Sequence, residues 1–303
     1  MTDYTFSVII PHRNCMELLQ RCIDSIPKRD DLQIVIVDDN SDTEHVDFEH
    51  FPGLGQKNTK VIFTKEGKGA GYARNVGMEY ALGKWLLFAD ADDWYEPCIN
   101  ELFEKFKFDD ACDLVYLNAQ CIDDDKKTFP FCVSKYISNY LNKKFLSEKV
   151  LRYGVWTPWT RMVRKSFVKK HCLRFEEIQL ANDMKFGLAC SYNADKFDVY
   201  PDIVYNYYKP SCGSLTDKHY TPETYMLRLN LKIKLNKFYA TVGYPFKWPL
   251  WTALSLHRFK TKEDKALARK TRKAFLKDKG GYDILKDLYY TFLYACGKLL
   301  NII

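Results

Sequence analysis

Three carboxylates crowd one short stretch, Phe88-Ala-Asp-Ala-Asp-Asp-Trp-Tyr95, in which Asp90, Asp92 and Asp93 follow the apolar run 85–89. That run predicts a buried strand, which puts the acids at its C-terminal end. Carboxylates gathered there are costly unless a cation meets them. Mn²⁺ or Mg²⁺ carrying a phosphorylated ligand suits the need, because both prefer hard oxygen donors. A solvated acidic turn is the competing reading of so short a motif.

The elements around this stretch decide between the two. Residues 6–10, 33–37, 60–64, 85–89 and 113–117 are apolar runs of strand length. Residues 15–26 have helical spacing, with Asn14 as the expected N-cap. A second helix is expected from the glycine-rich Gly67-Lys-Gly-Ala-Gly71 to about residue 82. Strand alternating with helix, and strands without polar interruptions, predict an α/β fold with a mostly parallel, twisted sheet covered by helices on both faces. In such sheets a ligand lies beyond the carboxyl ends of the strands. Pro11-His-Arg-Asn14 follows the first strand, Asp38-Asp-Asn-Ser-Asp42 the second, and the acidic triplet the fourth. Three unconnected segments are thus expected to converge on one crevice.

Four ordered motifs carry a resemblance: Ser7-Val-Ile-Ile-Pro-His-Arg-Asn14, Ile34-Val-Ile-Val-Asp-Asp-Asn-Ser-Asp42, Gly69-Ala-Gly-Tyr-Ala-Arg-Asn-Val-Gly77 and Leu87-Phe-Ala-Asp-Ala-Asp-Asp93. Together they resemble the nucleotide-sugar-binding half of a family 2 glycosyltransferase with a GT-A fold, over residues 5–215. The resemblance implies an inverting, metal-dependent transfer of one sugar from a UDP-sugar to a glycan or lipid-linked acceptor. It implies that Asp39 accepts the imide N–H of the base, with Pro11, Arg13 and Asn14 shaping the base pocket and Arg74 contacting base or diphosphate. Asp90-Ala91-Asp92 would be the D-x-D at the nucleotide sugar, with Asp90 and Asp92 as ligands of Mn²⁺ or Mg²⁺, and Asp93 would support the metal shell or cap a helix.

Inverting transfer also needs a base. In Leu180-Ala-Asn-Asp-Met-Lys-Phe186 the resemblance implies Asp183, with Glu176 and Glu177 as alternatives. The family commonly has Glu where Asn182 stands, so one carboxylate is left at this pair. Trp159, in Thr157-Pro-Trp-Thr-Arg-Met-Val-Arg164, and Asn182 are expected on the acceptor side. Tyr207 and Ser214 fall in segments resembling a loop over the donor phosphates. The Gln-x-x-Arg-Trp signature of processive synthases is absent from the sequence, so one sugar per encounter is expected. A noncatalytic nucleotide-sugar binder or membrane-recruited scaffold is the alternative, since it would keep the D-x-D and lack a working base.

The chain of 303 residues is long enough for one large domain with an appendage. The expected division is a catalytic domain over 1–217, itself split into a donor half 1–117 and an acceptor half 118–217, then a basic helical region over 218–303. The first part carries 28 Lys/Arg against 33 Asp/Glu, the second 18 against 6. Basic residues 265–279 precede a stripe of Leu285, Leu288, Phe292, Cys296, Leu299 and Ile303, a pattern that fits an anionic membrane surface, a homodimer contact or packing on the chain's own domain. No nucleic-acid module is recognisable. Ten cysteines without C-x-x-C pairing, an opening without a signal-peptide pattern, and no long apolar run lead to the expectation of a cytoplasmic protein, peripheral to the inner face of the plasma membrane where the basic region attaches.

Overall fold

The computed structural model describes residues 4–178, 180–210, 222–245, 261–278, 292, 293 and 296. Contacts divide the chain into two compact units, Met1–Lys143 with Gly154–Lys209, and Lys144–Tyr153 with Pro210–Ile303. The first unit is built on a nine-stranded mixed sheet.

One half of the sheet is parallel. It holds β1 (Phe6–His12), β2 (Leu32–Asp39), β3 (Thr59–Thr64) and β4 (Trp85–Phe88) in the order β3-β2-β1-β4. β1 and β4 are buried along their whole length, as expected of strands covered on both faces. Burying each of their Val, Ile, Leu and Phe side chains contributes about 1.5–3 kcal/mol. Between the strands lie α1 (Met16–Asp24) and α2 (Ala70–Tyr80). α2 approaches β1 so closely that a Cβ on Gly77 would lie 2.4 Å from Ile9 Cγ2.

The other half is mixed. β8 (Arg161–Arg164) runs antiparallel to β4 and to β6 (Leu114–Ile122), and β9 (Phe197–Tyr208) runs parallel to β6. The two-residue β5 (Trp94–Tyr95) pairs with the end of β9, so the acidic stretch after β4 is bracketed by β9. α3 (Ile99–Phe106), α6 (Lys165–Lys170) and α7 (Met184–Asn193) complete this half.

Three sequence expectations change. Strands β1 and β2 run on through their polar ends, with His12 in register with Asp38 and Asp39 with Thr64. Helix α1 is capped by Cys15 rather than Asn14, because Asn14 sits at φ 56° and its side chain is engaged elsewhere. Residues 120–150, irregular by their Lys/Asp content, contain β7 (Thr128–Pro130), α4 (Cys132–Leu141) and α5 (Ser147–Gly154). In α4 the buried Val133, Tyr136, Ile137 and Asn139 form the stripe that those charges obscure.

In the second unit, α5 meets α8 (Pro222–Thr241) through a hydrogen bond from the Tyr239 hydroxyl to the Tyr153 carbonyl, 2.9 Å. α9 (Lys262–Asp278) packs on α8 and exposes Lys262, Arg269, Lys270 and Lys273. Most of the apolar stripe expected over 282–303 lies outside the described residues, as does Ser214. Among the described residues no helix is long and apolar enough to cross a membrane.

Candidate active site

The carboxyl ends of β2, β1 and β4 are neighbours, and the loops leaving them are tied by polar side chains. His12 and Asp38 are both buried, with Nδ1 2.7 Å from Asp38 Oδ2. The Cys15 amide donates to His12 Nε2 at 3.1 Å, so the ring's proton is on Nδ1 and points at Asp38. Burial alone would raise the Asp38 pKa, but the bonds from His12 and Ser41 outweigh it and hold the carboxyl below its ordinary value. Asn14 exchanges two hydrogen bonds with Asp42, 2.9 and 2.8 Å, joining the first two loops. Pro11 is buried beside them and Arg13 is exposed.

Asp39 is 2% exposed. Its Oδ1 accepts from the Thr64 hydroxyl at 3.0 Å and its Oδ2 from the Gly69 amide, which closes the loop before α2. Gly69 has φ 93°, a conformation open to glycine and strained for other residues.

The acidic turn after β4 is built from both halves of the sheet. Asp93 is fully buried: Oδ2 accepts from the Tyr205 hydroxyl and Oδ1 from the Tyr208 amide, each at 2.7 Å. The same Tyr205 hydroxyl accepts the Asp90 amide at 2.9 Å. Asp93 therefore ties the turn to β9; it does not cap α3, which begins at Ile99. Arg21, on α1, donates to the Asp92 carbonyl at 2.5 Å while its guanidinium lies over Trp94 (4.2 Å) and Tyr208 (5.1 Å). Asp92 itself is half-buried, and burial followed by the charge of Asp90 pushes its pKa up to about 6.

Arg74 links this turn to the Asp183 segment. It is 5% exposed, pairs with Asp90 Oδ1, and donates to Asn182 Oδ1 at 2.9 Å. Its Nε is buried without a partner among the described residues. Asp183 occupies the N-cap position of α7, yet its side chain makes no capping bond among the described residues. Burial raises its pKa, Arg74 opposes this, and the charge of Asp90 adds to the rise. Glu176 and Glu177 lie on the same loop, which is closed by a bond from the Glu176 amide to the Asn182 carbonyl, 3.0 Å.

Trp159 is 3% exposed and parallel to Tyr205 and Tyr207, at 5.0 and 5.5 Å between centroids. It therefore shows little surface to a sugar, whereas the half-buried Tyr207 shows more. Burial and then the charges of Asp93, Asp92 and Asp90 push the Tyr207 pKa up to about 12. The roles of Arg21, Asn75 and Tyr205 are not visible in sequence spacing, since their partners lie 71 to 115 residues away.

Among the described residues no group of three or more His, Cys, Asp or Glu is arranged to hold a metal ion. The donor set nevertheless fits a divalent cation shared with a diphosphate, which needs only one or two protein carboxylates. Burial first and the charge of Asp90 second disfavour ionised Asp92, and a bound cation would offset both.

A parallel sheet half with polar loops at its carboxyl ends, continued by a mixed half that carries an acidic turn, is the GT-A architecture. The crystal structure of Staphylococcus aureus TarS 1–349 in complex with UDP-GlcNAc matches it with a TM-score of 0.61 at 19% identity, over 92% of this chain and 93% of that one. The UDP complex of the same TarS fragment matches with a TM-score of 0.58. The model of glycosyl transferase family 2 matches residues 7–171, more than half of the sequence, and the chain belongs to that family. Among its relatives, the Bacillus subtilis glycosyltransferases EpsH and EpsJ are 25% and 23% identical over 66% and 78% of this chain. Escherichia coli YibD is 25% identical over 67%. The aligned stretches span 60% of EpsH, 71% of EpsJ and 60% of YibD.

Proposed function

We propose that this glycosyltransferase moves a single sugar, with inversion, from a UDP-sugar to a hydroxyl of a glycan or lipid-linked acceptor. The observation that carries the reading is the Arg74 bridge. One buried side chain touches both Asp90 and Asn182, so the acidic turn and the neighbour of Asp183 lie within a single guanidinium's reach.

In this reading Asp39 accepts the imide N–H of uracil through lone pairs that Thr64 and Gly69 leave over, beside Pro11, Arg13 and Asn14. Asp90 and Asp92, flanking Ala91, would hold Mn²⁺ or Mg²⁺. When bound, the cation supplies Lewis-acid neutralisation of the charge on departing UDP. Arg74 adds fixed positive charge beside the phosphates. Asp183, ionised, takes the proton of the acceptor hydroxyl as that oxygen attacks C1 from the face opposite UDP; the C1–O bond breaks and its electron pair leaves with the diphosphate. Asn182 and Tyr207, the latter backed by the buried Trp159, border the acceptor.

The donor class is a UDP-hexose or UDP-N-acetylhexosamine. Because TarS was solved with UDP-GlcNAc, that sugar nucleotide is the first to try. The setting we propose is cell-surface polysaccharide or glycan assembly, with the exposed basic face of α9 attracted to an anionic membrane. A thermal-shift screen of nucleoside-diphosphate sugars with and without Mn²⁺ tests the donor assignment. A ligand at about 100 times its Kd stabilises by about 2.7 kcal/mol. A UDP-sugar is expected to raise Tm only with the metal; no shift from any UDP-sugar in either condition would discard the assignment.

A further inference from the structure

We propose that Asn75 is a positioning residue for the transfer step, holding the loop that carries Asp183 in register with the donor. This rests on the reading of Asp183 as base.

The Asn75 side chain is 2% exposed and engages both backbone groups of Phe175: Oδ1 accepts the Phe175 amide at 2.9 Å, and Nδ2 donates to the Phe175 carbonyl at 3.0 Å. Nδ2 also reaches Glu177 Oε1 at 3.2 Å. A carboxamide is suited to this double bond, having one donor end and one acceptor end, whereas a carboxylate or an apolar isostere would leave buried backbone unpaired.

From Phe175 the register passes on by packing. The Phe175 ring stacks on Phe186 at 4.1 Å and 15°. Phe186 lies one turn into α7, the helix for which Asp183 is the N-cap. On the other side Gly71 allows close contact, since a Cβ there would stand 2.2 Å from the Glu176 carbonyl oxygen. Asn75, Phe175 and Phe186 thus form a continuous path from α2, which packs on β1, to the carboxylate. The backbone of the acidic turn is held by Tyr205 and Arg21, to which Asn75 makes no hydrogen bond among the described residues; the link between the two regions is Arg74, which pairs with Asp90 and lies over the Phe175 ring at 5.4 Å. Loosening Asn75 should therefore misplace the base and spare the donor.

The test compares Asn75→Ala, Phe175→Leu and Asp183→Asn in full-length protein. Phe175→Leu removes the stack on Phe186 at the cost of a small cavity, and with it the ring's contacts to Phe88 and to the Arg74 guanidinium, so some loss of UDP affinity accompanies it. The readouts are kcat with UDP-GlcNAc, or whichever UDP-sugar the thermal screen selects, and the Kd for UDP with Mn²⁺. Misplacing a reacting group by about 1 Å costs on the order of 10²-fold in rate. We expect kcat in Asn75→Ala to fall by at least about tenfold more than UDP affinity does, with a smaller split of the same sign in Phe175→Leu. A split below that size, or equal losses in kcat and affinity, as a general packing role would give, overturns the proposal. Should Asn75→Ala fail to fold, Phe175→Leu decides: any kcat loss no larger than its affinity loss overturns it. Wild-type turnover in Asp183→Asn sinks the base assignment instead, whereas a dead Asp183→Asn beside a wild-type Asn75→Ala sinks only the clamp.

Discussion

The acidic turn after β4 and the loop before α7 both present carboxylates, and they are supported in different ways. The turn is held on three sides: Tyr205 binds the Asp90 amide and the Asp93 carboxylate, Tyr208 binds Asp93 through its backbone, and Arg21 grips the Asp92 carbonyl. The loop leans on α2 through Gly71, Arg74 and Asn75 and on the end of β4 through Phe175 and Phe88, and Arg74 also pairs with Asp90 of the turn. The difference teaches that the two stations can fail separately. On the proposed roles, the leaving-group site would keep its shape when the base moves, and the Gly-Ala-Gly-Tyr-Ala-Arg-Asn segment touches both regions, holding Asp39 through the Gly69 amide at one end and the Asp183 loop along its side.

Breaking the turn should have the largest effect. Asp92→Ala is expected to lower kcat/KM by about 10³-fold or more, since Lewis-acid stabilisation is worth several kcal/mol. Metal-dependent UDP binding, followed by calorimetry, should weaken with it. Full activity in this variant would remove the acidic turn from the reaction. Next, Asp183→Asn should cost about 10²–10⁴-fold in kcat, the usual contribution of a general base, while UDP with Mn²⁺ binds as before. If UDP binding were lost as well, the two stations would be one unit and the contrast between them would collapse.

A milder change probes how the turn is held. Tyr205→Phe removes one hydroxyl that serves two partners, leaving the Asp93 carboxylate and the Asp90 amide each one bond short in a buried setting. A buried polar group left unpaired costs about 1–3 kcal/mol, and in a domain of this size each 1 kcal/mol shifts Tm by about 2–4 °C. Calorimetry should therefore show a drop of several degrees, with donor KM rising and the kcat of saturated enzyme changing less. An unchanged Tm would mean that Arg21 and the strand pairing suffice to hold the turn.

The parallel half of the sheet is legible in the sequence because its strands are unbroken apolar runs, each ending in a polar cluster that the topology then places side by side. The mixed half is not. β8 lies inside the sheet but reads Arg-Met-Val-Arg, and its charges are hidden by contacts that no periodicity announces. Arg161 is fully buried and donates to the Val155 carbonyl at 2.9 Å, and Arg164 lies over Trp85 at 4.3 Å while bonding the Cys112 carbonyl. The site divides in the same way. Asp90, Asp92 and Arg74 stand in motifs with fixed spacing, and their convergence follows from strand order. Arg21 and Tyr205 matter through partners far along the chain, so only folding reveals them. Asn75 is between these cases: it belongs to the Gly69–Gly77 motif, but what it holds is the loop before Asp183, 100 residues downstream.

The smallest effect comes from the loop's weaker support and concerns pH. The Asp183 carboxyl titrates above its ordinary value of 3.8 in the folded protein, first because it is buried and then because Asp90 repels its ionised form, with Arg74 acting against both. In the unfolded chain it titrates near 3.9. Between those two values the folded state binds more protons than the unfolded state, so stability falls as pH rises through the window, and the loss is complete above the folded value. Asn at this position cannot ionise and escapes that cost. Asp183→Asn is therefore expected to melt above wild type at pH 7, with the advantage gone near pH 3, below both values. If Asp183 is the base, the same shift predicts that the acid-side decline of wild-type transfer lies higher in pH than an unperturbed aspartate would give, because a base acts only when ionised. A variant no more stable than wild type at pH 7 would mean that Arg74 fully compensates the buried charge, and the base station would then be as well supported as the turn.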